Sequence, residues 1–151
     1  MLDKKIYLGA DHAGYELKEK IKQWLDLHNI PYDDLGNHIL DPNDDFPDFA
    51  YRVAKTVKLK KSFGILLCGS AQGVCISANK VKGIRAVIPF SLKEARLSRE
   101  HVNANIICLS GWFMRYHKAT KLLETFLTTP FSKAPRHLRR LNKIRRIELS
   151  R

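Results

Sequence analysis

A chain of 151 residues has 27 lysines and arginines against 15 aspartates and glutamates, a formal net charge of +12, and is 44% hydrophobic. That apolar fraction supports a buried core and excludes a disordered polyelectrolyte, and no apolar run approaches the roughly 18 residues of a membrane span. The three cysteines, Cys68, Cys75 and Cys108, form no Cys-x-x-Cys pair, which argues against a disulfide framework or zinc site and for a reducing, cytoplasmic compartment.

Lys5 to Gly9 reads as a first strand, and Asp11 and His12 end it too abruptly for a signal peptide. Tyr15 to His28 follows as a helix, with Leu17, Ile21, Trp24 and Leu25 near helical spacing. Pro31 to Leu35 is a short second strand. Phe49, Val53 and Val57 recur every fourth residue and mark a helix beginning near Pro47. Phe63 to Leu67 is continuously apolar, as a buried parallel strand should be. A polar turn, Cys68-Gly69-Ser70-Ala71-Gln72-Gly73, leads into a short helix over Val74 to Lys80. Arg85 to Pro89 and Asn105 to Leu109 are further strands, separated by a helix around Leu92 to Arg99. Trp112 to Thr125 and Pro135 to Leu149 carry two last helical patterns, the second within the basic segment 133–151. This alternation predicts an α/β fold: one Rossmann-like three-layer domain over 1–151, with a five-stranded parallel sheet and helices on both faces. Ligands of such sheets gather beyond the carboxyl ends of the strands, where Asp11, His12, Cys68 and Ser70 fall.

Cys68 closes an apolar strand and opens a glycine turn before a helix, a setting whose N–H groups favour thiolate. A buried strand-end cysteine is the plainer alternative, and for Cys75 and Cys108 the core reading prevails. The loop Gly69 to Gly73 offers backbone donors, and Ser70 a hydroxyl, to an anion or developing oxyanion. It matches neither a phosphate-binding Walker loop nor a dinucleotide fingerprint. His101, in a polar segment before a strand, can transfer protons near neutral pH, although alone such a histidine is more often a surface or cap residue. His12, beside Asp11, reads as a proton carrier or phosphate donor. Arg136 and Arg140, four apart, share one helix face and suit a phosphate dianion. The remaining basic run reads as a solvated face.

Together these residues resemble the sugar-phosphate isomerase family that includes ribose-5-phosphate isomerase type B and the galactose-6-phosphate isomerase subunits. The resemblance rests on Gly9-Ala10-Asp11-His12-Ala13-Gly14, Asp45-Phe46-Pro47, Cys68-Gly69-Ser70, Ala78-Asn79-Lys80, Gly83-Ile84-Arg85-Ala86, Leu97-Ser98-Arg99-Glu100-His101, Arg136-His137 and Arg140. It implies a cofactor-free and metal-free isomerase interconverting ribose 5-phosphate and ribulose 5-phosphate through an enediolate. Cys68 would be the base on carbon and His101 the residue that opens the sugar ring. Asp11, His12, Gly69, Ser70, Ala71, Gln72, Gly73, Arg136 and Arg140 would contact the phosphorylated sugar. It also implies a homodimer or homotetramer, with the C-terminal helix reaching a partner subunit. The chain departs from the family pattern at Phe46, Ala71, Val102, Trp112 and Ala134-Pro135, where tyrosine, glycine, asparagine, arginine and Gly-Gly are usual. Those departures keep other readings open: isomerisation of another aldose phosphate of the hexose 6-phosphate type, or a weakened subunit needing a complementary one. The +12 charge raises a third, a basic nucleic-acid-binding protein on the same fold. That reading lacks the interleaved aromatics of a base-stacking surface.

Overall fold

Five strands pair into one all-parallel sheet of order β2-β1-β3-β5-β4 in a computed structural model that describes residues 4–150. Residues 1–3 and Arg151, the ends of the expected domain and of its basic segment, lie outside the described residues. The strands are β1 (Ile6–Ala10), β2 (Tyr32–Asp34), β3 (Phe63–Cys68), β4 (Ala86–Val87) and β5 (Ile106–Ser110). The helices are α1 (Tyr15–Leu27), α2 (Phe46–Lys60), α3 (Gln72–Asn79), α4 (Leu92–Val102), α5 (Tyr116–Thr128) and α6 (Pro135–Leu149).

Side chains alternate across a strand, so each central strand feeds two cores. Ile65 and Leu67 join Ile21, Leu25, Leu122 and Phe126 on the face covered by α1 and α5. Leu66 and Cys68 join Val53, Val57, Val74 and Ala78 on the face covered by α2 and α3. The α/β architecture expected from the alternation is therefore present, with helices on both faces.

Three boundaries differ from expectation, each for a local reason. The helix expected from Trp112 begins instead at Tyr116, because Gly111 to Phe113 form a turn held by Ser110. The Ser110 hydroxyl donates to Gly69 O at 2.6 Å and accepts the Phe113 N–H at 3.0 Å. Helix α3 starts at Gln72 rather than Val74, so the last part of the glycine turn is already helical. Strand β4 is only Ala86–Val87, an edge strand paired on one side. Helix α6 packs on its own chain: Ser132 N donates to Glu100 O at 3.2 Å just before it, and Glu148 Oε1 accepts the Gly83 N–H at 3.1 Å near its end.

A buried charge ties the second strand to the first helix. Lys18 is 0% exposed, and its ammonium donates to both Asp34 carboxylate oxygens at 2.8 Å and to the Asn37 carbonyl. Lys22 reaches the same carboxylate at 2.9 Å. Burial works against the Asp34 carboxylate, but hydrogen bonds from Lys18, Gly36 N–H and Lys22 outweigh it and hold its pKa below the ordinary value. Removing one partner of such a pair leaves an uncompensated charge inside the protein. Asp34→Ala is expected to destabilise the chain by about 3–5 kcal/mol in urea unfolding, and Lys18→Met/Asp34→Ala by clearly less. Because the folded pKa is depressed, the Asp34 contribution is full above the unfolded carboxylate value of about 3.9 and fades as pH falls through the folded one. The acid limb of wild-type stability should flatten in Asp34→Asn.

Candidate active site

The sequence-predicted residues fall into two groups at opposite ends of the sheet. Cys68 ends β3 and pairs with Ser110, the last residue of β5. The main-chain N–H groups of Val74, Ala71 and Gly73, at and just before the start of α3, favour its ionised form. Ala71 holds φ 69°, a left-handed conformation that turns the chain so those N–H groups converge. This is the position where glycine is the family's habit. Cys68 is nevertheless only 4% exposed. Burial pushes its pKa up, the three N–H groups pull it back, and the Asp11 carboxylate adds to the rise. The net shift is upward, so the expectation that this loop favours the thiolate is corrected: desolvation outweighs the donors in the free protein.

Asp11, one residue past β1, is buried and its Oδ1 accepts the Gly14 N–H at 3.0 Å. Burial raises its pKa, partly countered by Gly14 N–H and by His12. His12 does not lean on Asp11, as adjacency suggested. Its Nδ1 and its main-chain N both meet Asp44 Oδ1, at 2.8 Å and 2.9 Å. That hydrogen bond raises the His12 pKa against the cost of burial, and the charges of Asp11, Asp44 and Asp41 add smaller pushes in the same direction. Asp11, His12 and Asp44 bring donor atoms within 4.8 Å of one another, and the hydrogen bonds just named occupy His12 Nδ1, Asp44 Oδ1 and Asp11 Oδ1.

Two departures from the family pattern flank this cluster. Trp112 lies over Gly69, where a Cβ would come within 2.5 Å of the indole, and the Trp112 main-chain N–H donates to Gly69 O at 3.1 Å. Phe46 lies over Gly73, where a Cβ would come within 2.7 Å of the ring. Each glycine thus admits an aromatic ring against the loop. Trp112 is 67% exposed, and it walls a cavity of about 450 Å³ between the start of α1 and the Gly111–Tyr116 segment.

The second group sits at the amino end. Helix α4 runs back from β4 and delivers His101 just before β5 begins. The His101 ring stacks on His137 with centroids 4.3 Å apart. His137, in the first turn of α6, is buried; its Nδ1 meets Ser132 Oγ at 2.7 Å and its Nε2 accepts from Arg136 Nε at 3.3 Å. Burial, then His101, Arg136 and Arg140, hold its pKa below the ordinary value. Arg136 and Arg140 are exposed beside this pair. Cys68 and His101 are therefore separated by the sheet: from Ile106 to Ser110, β5 spans roughly 13 Å at about 3.3 Å per residue.

Sequence reasoning missed Asp44 and the stacking of His137. Asp44 lies in a loop 32 residues from His12, and no local spacing links them. His137 stood in a quoted motif, but its ring contact depends on where α6 docks.

The family model described as ribose/galactose isomerase matches residues 6–144. A probable ribose-5-phosphate isomerase B of Mycoplasma genitalium is 44% identical over 145 residues, 95% of either chain. The solved structure of ribose-5-phosphate isomerase B from Mycoplasma genitalium with bound ribulose 5-phosphate has a TM-score of 0.94 at 41% identity, covering 100% of both chains. A ribose 5-phosphate isomerase from Thermotoga maritima has a TM-score of 0.91 at 41% identity, over 95% of this chain and 99% of that one.

The raised Cys68 pKa has a direct readout. Alkylation of Cys68 by iodoacetamide, followed by peptide mass spectrometry, should reach half its limiting rate above the reference thiol value of about 8.5. Asp11→Asn should move that midpoint down, because it removes a negative charge facing the sulfur. A wild-type midpoint below the reference would mean that the N–H donors, not burial, dominate.

Proposed function

The chain belongs to the ribose/galactose isomerase family, and we infer from that premise that it is an enzyme interconverting ribose 5-phosphate and ribulose 5-phosphate without a cofactor. The observation that carries this is the coincidence of family membership along nearly the whole chain with a thiol held at a strand's carboxyl end among three N–H donors. The relative with ribulose 5-phosphate bound supports the substrate.

In the proposed reaction the Cys68 thiolate takes the proton from C2 of the open-chain aldose. The C–H pair forms the C1–C2 double bond and the carbonyl pair moves onto O1. The cysteine returns the proton to C1 while the O2 proton passes to O1 and C2 becomes the ketone carbon, so the sum is a shift of two protons with no net redox change. Ser70 and the Gly69 to Gly73 donors face the enediolate oxygens, where charge develops. Asp11 and His12 contact the sugar, His101 opens the ring, and Arg136 and Arg140 hold the phosphate. Forming the Cys68 thiolate costs less when the carboxyl group of Asp11 is neutral or paired, because its charge is one of the forces keeping sulfur protonated.

A site containing both Cys68 and His101 needs two copies of the chain. Within one copy the two lie at opposite ends of the sheet, whereas a homodimer can set the amino-end group of one subunit against the carboxyl-end group of the other. The exposed face of α6, with Arg136 and Arg140, suits that reach. One sheet with continuous cores supports reading 1–151 as a single domain. Three free thiols support a reducing, cytoplasmic setting. No helix among the described residues is long and apolar enough to cross a membrane.

Two experiments test this reading. Cys68→Ala should lower kcat for ribose 5-phosphate by about 10²–10⁴, the range for a lost general base; undiminished turnover would remove Cys68 from the mechanism. Mixing inactive Cys68→Ala and His101→Ala proteins, unfolded and refolded together, should restore up to about a quarter of wild-type activity, since half the random dimers carry one intact site of two. No recovery beyond the sum of the parents would mean each chain builds its site alone.

A further inference from the structure

We propose that Asp44 is a positioning residue that holds His12 with a proton on Nδ1 and presents Nε2–H, as part of a cation, to the negatively charged substrate. The inference rests on the reading of His12 as a substrate contact, and it adds a residue that neither the motifs nor the family resemblance assign.

The geometry is specific. Asp44 Oδ1 receives the His12 main-chain N–H at 2.9 Å and the ring Nδ1 at 2.8 Å, while Oδ2 receives the Asn37 side-chain amide at 3.3 Å. The carboxylate side chain is only 5% exposed, whereas that of His12 is 40% exposed. A carboxylate can only accept, so the proton in the Nδ1 contact belongs to the ring. Fixing Nδ1–H leaves Nε2 as the atom on the open side. Whether Nε2 carries a proton then depends on the charges around the ring. Those facing it are Asp11 from the end of β1 and Asp41 and Asp44 from the loop before α2, all negative. They favour the imidazolium, which is a hydrogen-bond donor at both nitrogens. The same carboxylate oxygen therefore sets orientation and charge together.

The loop carrying Asp44 is itself held. Asn37 N donates to Ala10 O at 3.0 Å and Gly36 O accepts from Ala10 N at 2.8 Å, continuing the pairing of β1 with the chain past Asp34, the last residue of β2. The Asn37 carbonyl also receives the buried Lys18 ammonium. A plain tether would explain the main-chain contact to His12. It would not require the second contact to the ring, nor three carboxylates around one imidazole.

The test separates orientation and charge from tethering. In intact ¹⁵N-labelled protein without ligand, long-range proton–nitrogen spectra, assigned through His12→Gln, should show His12 protonating above the reference histidine value of about 6.5 and Nδ1–H in the neutral form. Asp44→Asn keeps an acceptor of the same shape and removes the charge, so the His12 midpoint should fall. The ratio of variant to wild-type kcat/KM for ribose 5-phosphate should drop to about one tenth between the two measured midpoints, on the scale of one charge-assisted hydrogen bond. It should recover toward one at pH below both midpoints, where the ring is protonated in both proteins. A wild-type midpoint at or below the reference overturns the proposal and needs no variant to fold. So does an unchanged midpoint in Asp44→Asn with a ratio flat across pH. If the titrations behave as stated but the wild type turns over no sugar phosphate, the Asp44–His12 device stands and the assigned activity falls.

Discussion

The pairing of β3 with β5 is the contact on which the carboxyl-end site depends. Cys68 meets Ser110 at the last rung of that ladder, and from there the two chains separate into different turns. Ser110 stitches them: its hydroxyl donates to Gly69 O and accepts Phe113 N–H, while Gly111 N and Trp112 N donate to Cys68 O and Gly69 O. These bonds satisfy the backbone groups that a strand end would otherwise leave unpaired in a buried setting. They also leave the next residues free to turn sharply, so that Ala71 enters its left-handed conformation and α3 begins with its N–H groups directed at the sulfur. The thiol environment is a consequence of how two central strands end.

That dependence explains what could be read in the chain beforehand. Continuous apolar runs such as Phe63 to Leu67 announce buried parallel strands, and the four-residue recurrence of Phe49, Val53 and Val57 announces a helix, because burial acts on local periodicity. The carboxyl-end location of Asp11, His12 and Cys68 follows from strand direction alone. Boundaries set by tertiary bonds were not legible. Trp112 belongs to a helical pattern by spacing, yet Ser110 and Gly69 hold it in a turn that no window of neighbouring residues reveals. Cys68 shows the same limit in its chemistry. Its sequence context names the donors but not the burial that opposes them. Asp44 was silent for a simpler reason, since its partner is another chain segment.

The large positive charge is distributed in a way that matters for function. The carboxyl-end group is locally acidic, with Asp11, Asp41 and Asp44 around His12, and the cations Arg136 and Arg140 are at the other end. The proposed reaction, with phosphate held by the guanidiniums and carbon worked on by Cys68, would need both ends at once, which is why the proposal calls for two copies of the chain.

The two stacked histidines at the amino end raise an electrostatic question that their surroundings answer. Two imidazolium rings with centroids 4.3 Å apart would repel strongly. Burial, the facing His101 and the nearby Arg136 and Arg140 all push His137 toward its neutral form. Its Nδ1 and Nε2 are engaged by Ser132 Oγ and Arg136 Nε, and with Arg136 necessarily the donor, Nε2 is the acceptor and Nδ1–H donates to serine. A neutral ring in that fixed tautomer gives His101 an uncharged surface to pack on. The same hydrogen bond orients Arg136 along α6. His101 and Arg136, the residues proposed for ring opening and phosphate binding, are thus both held by one buried imidazole that touches each.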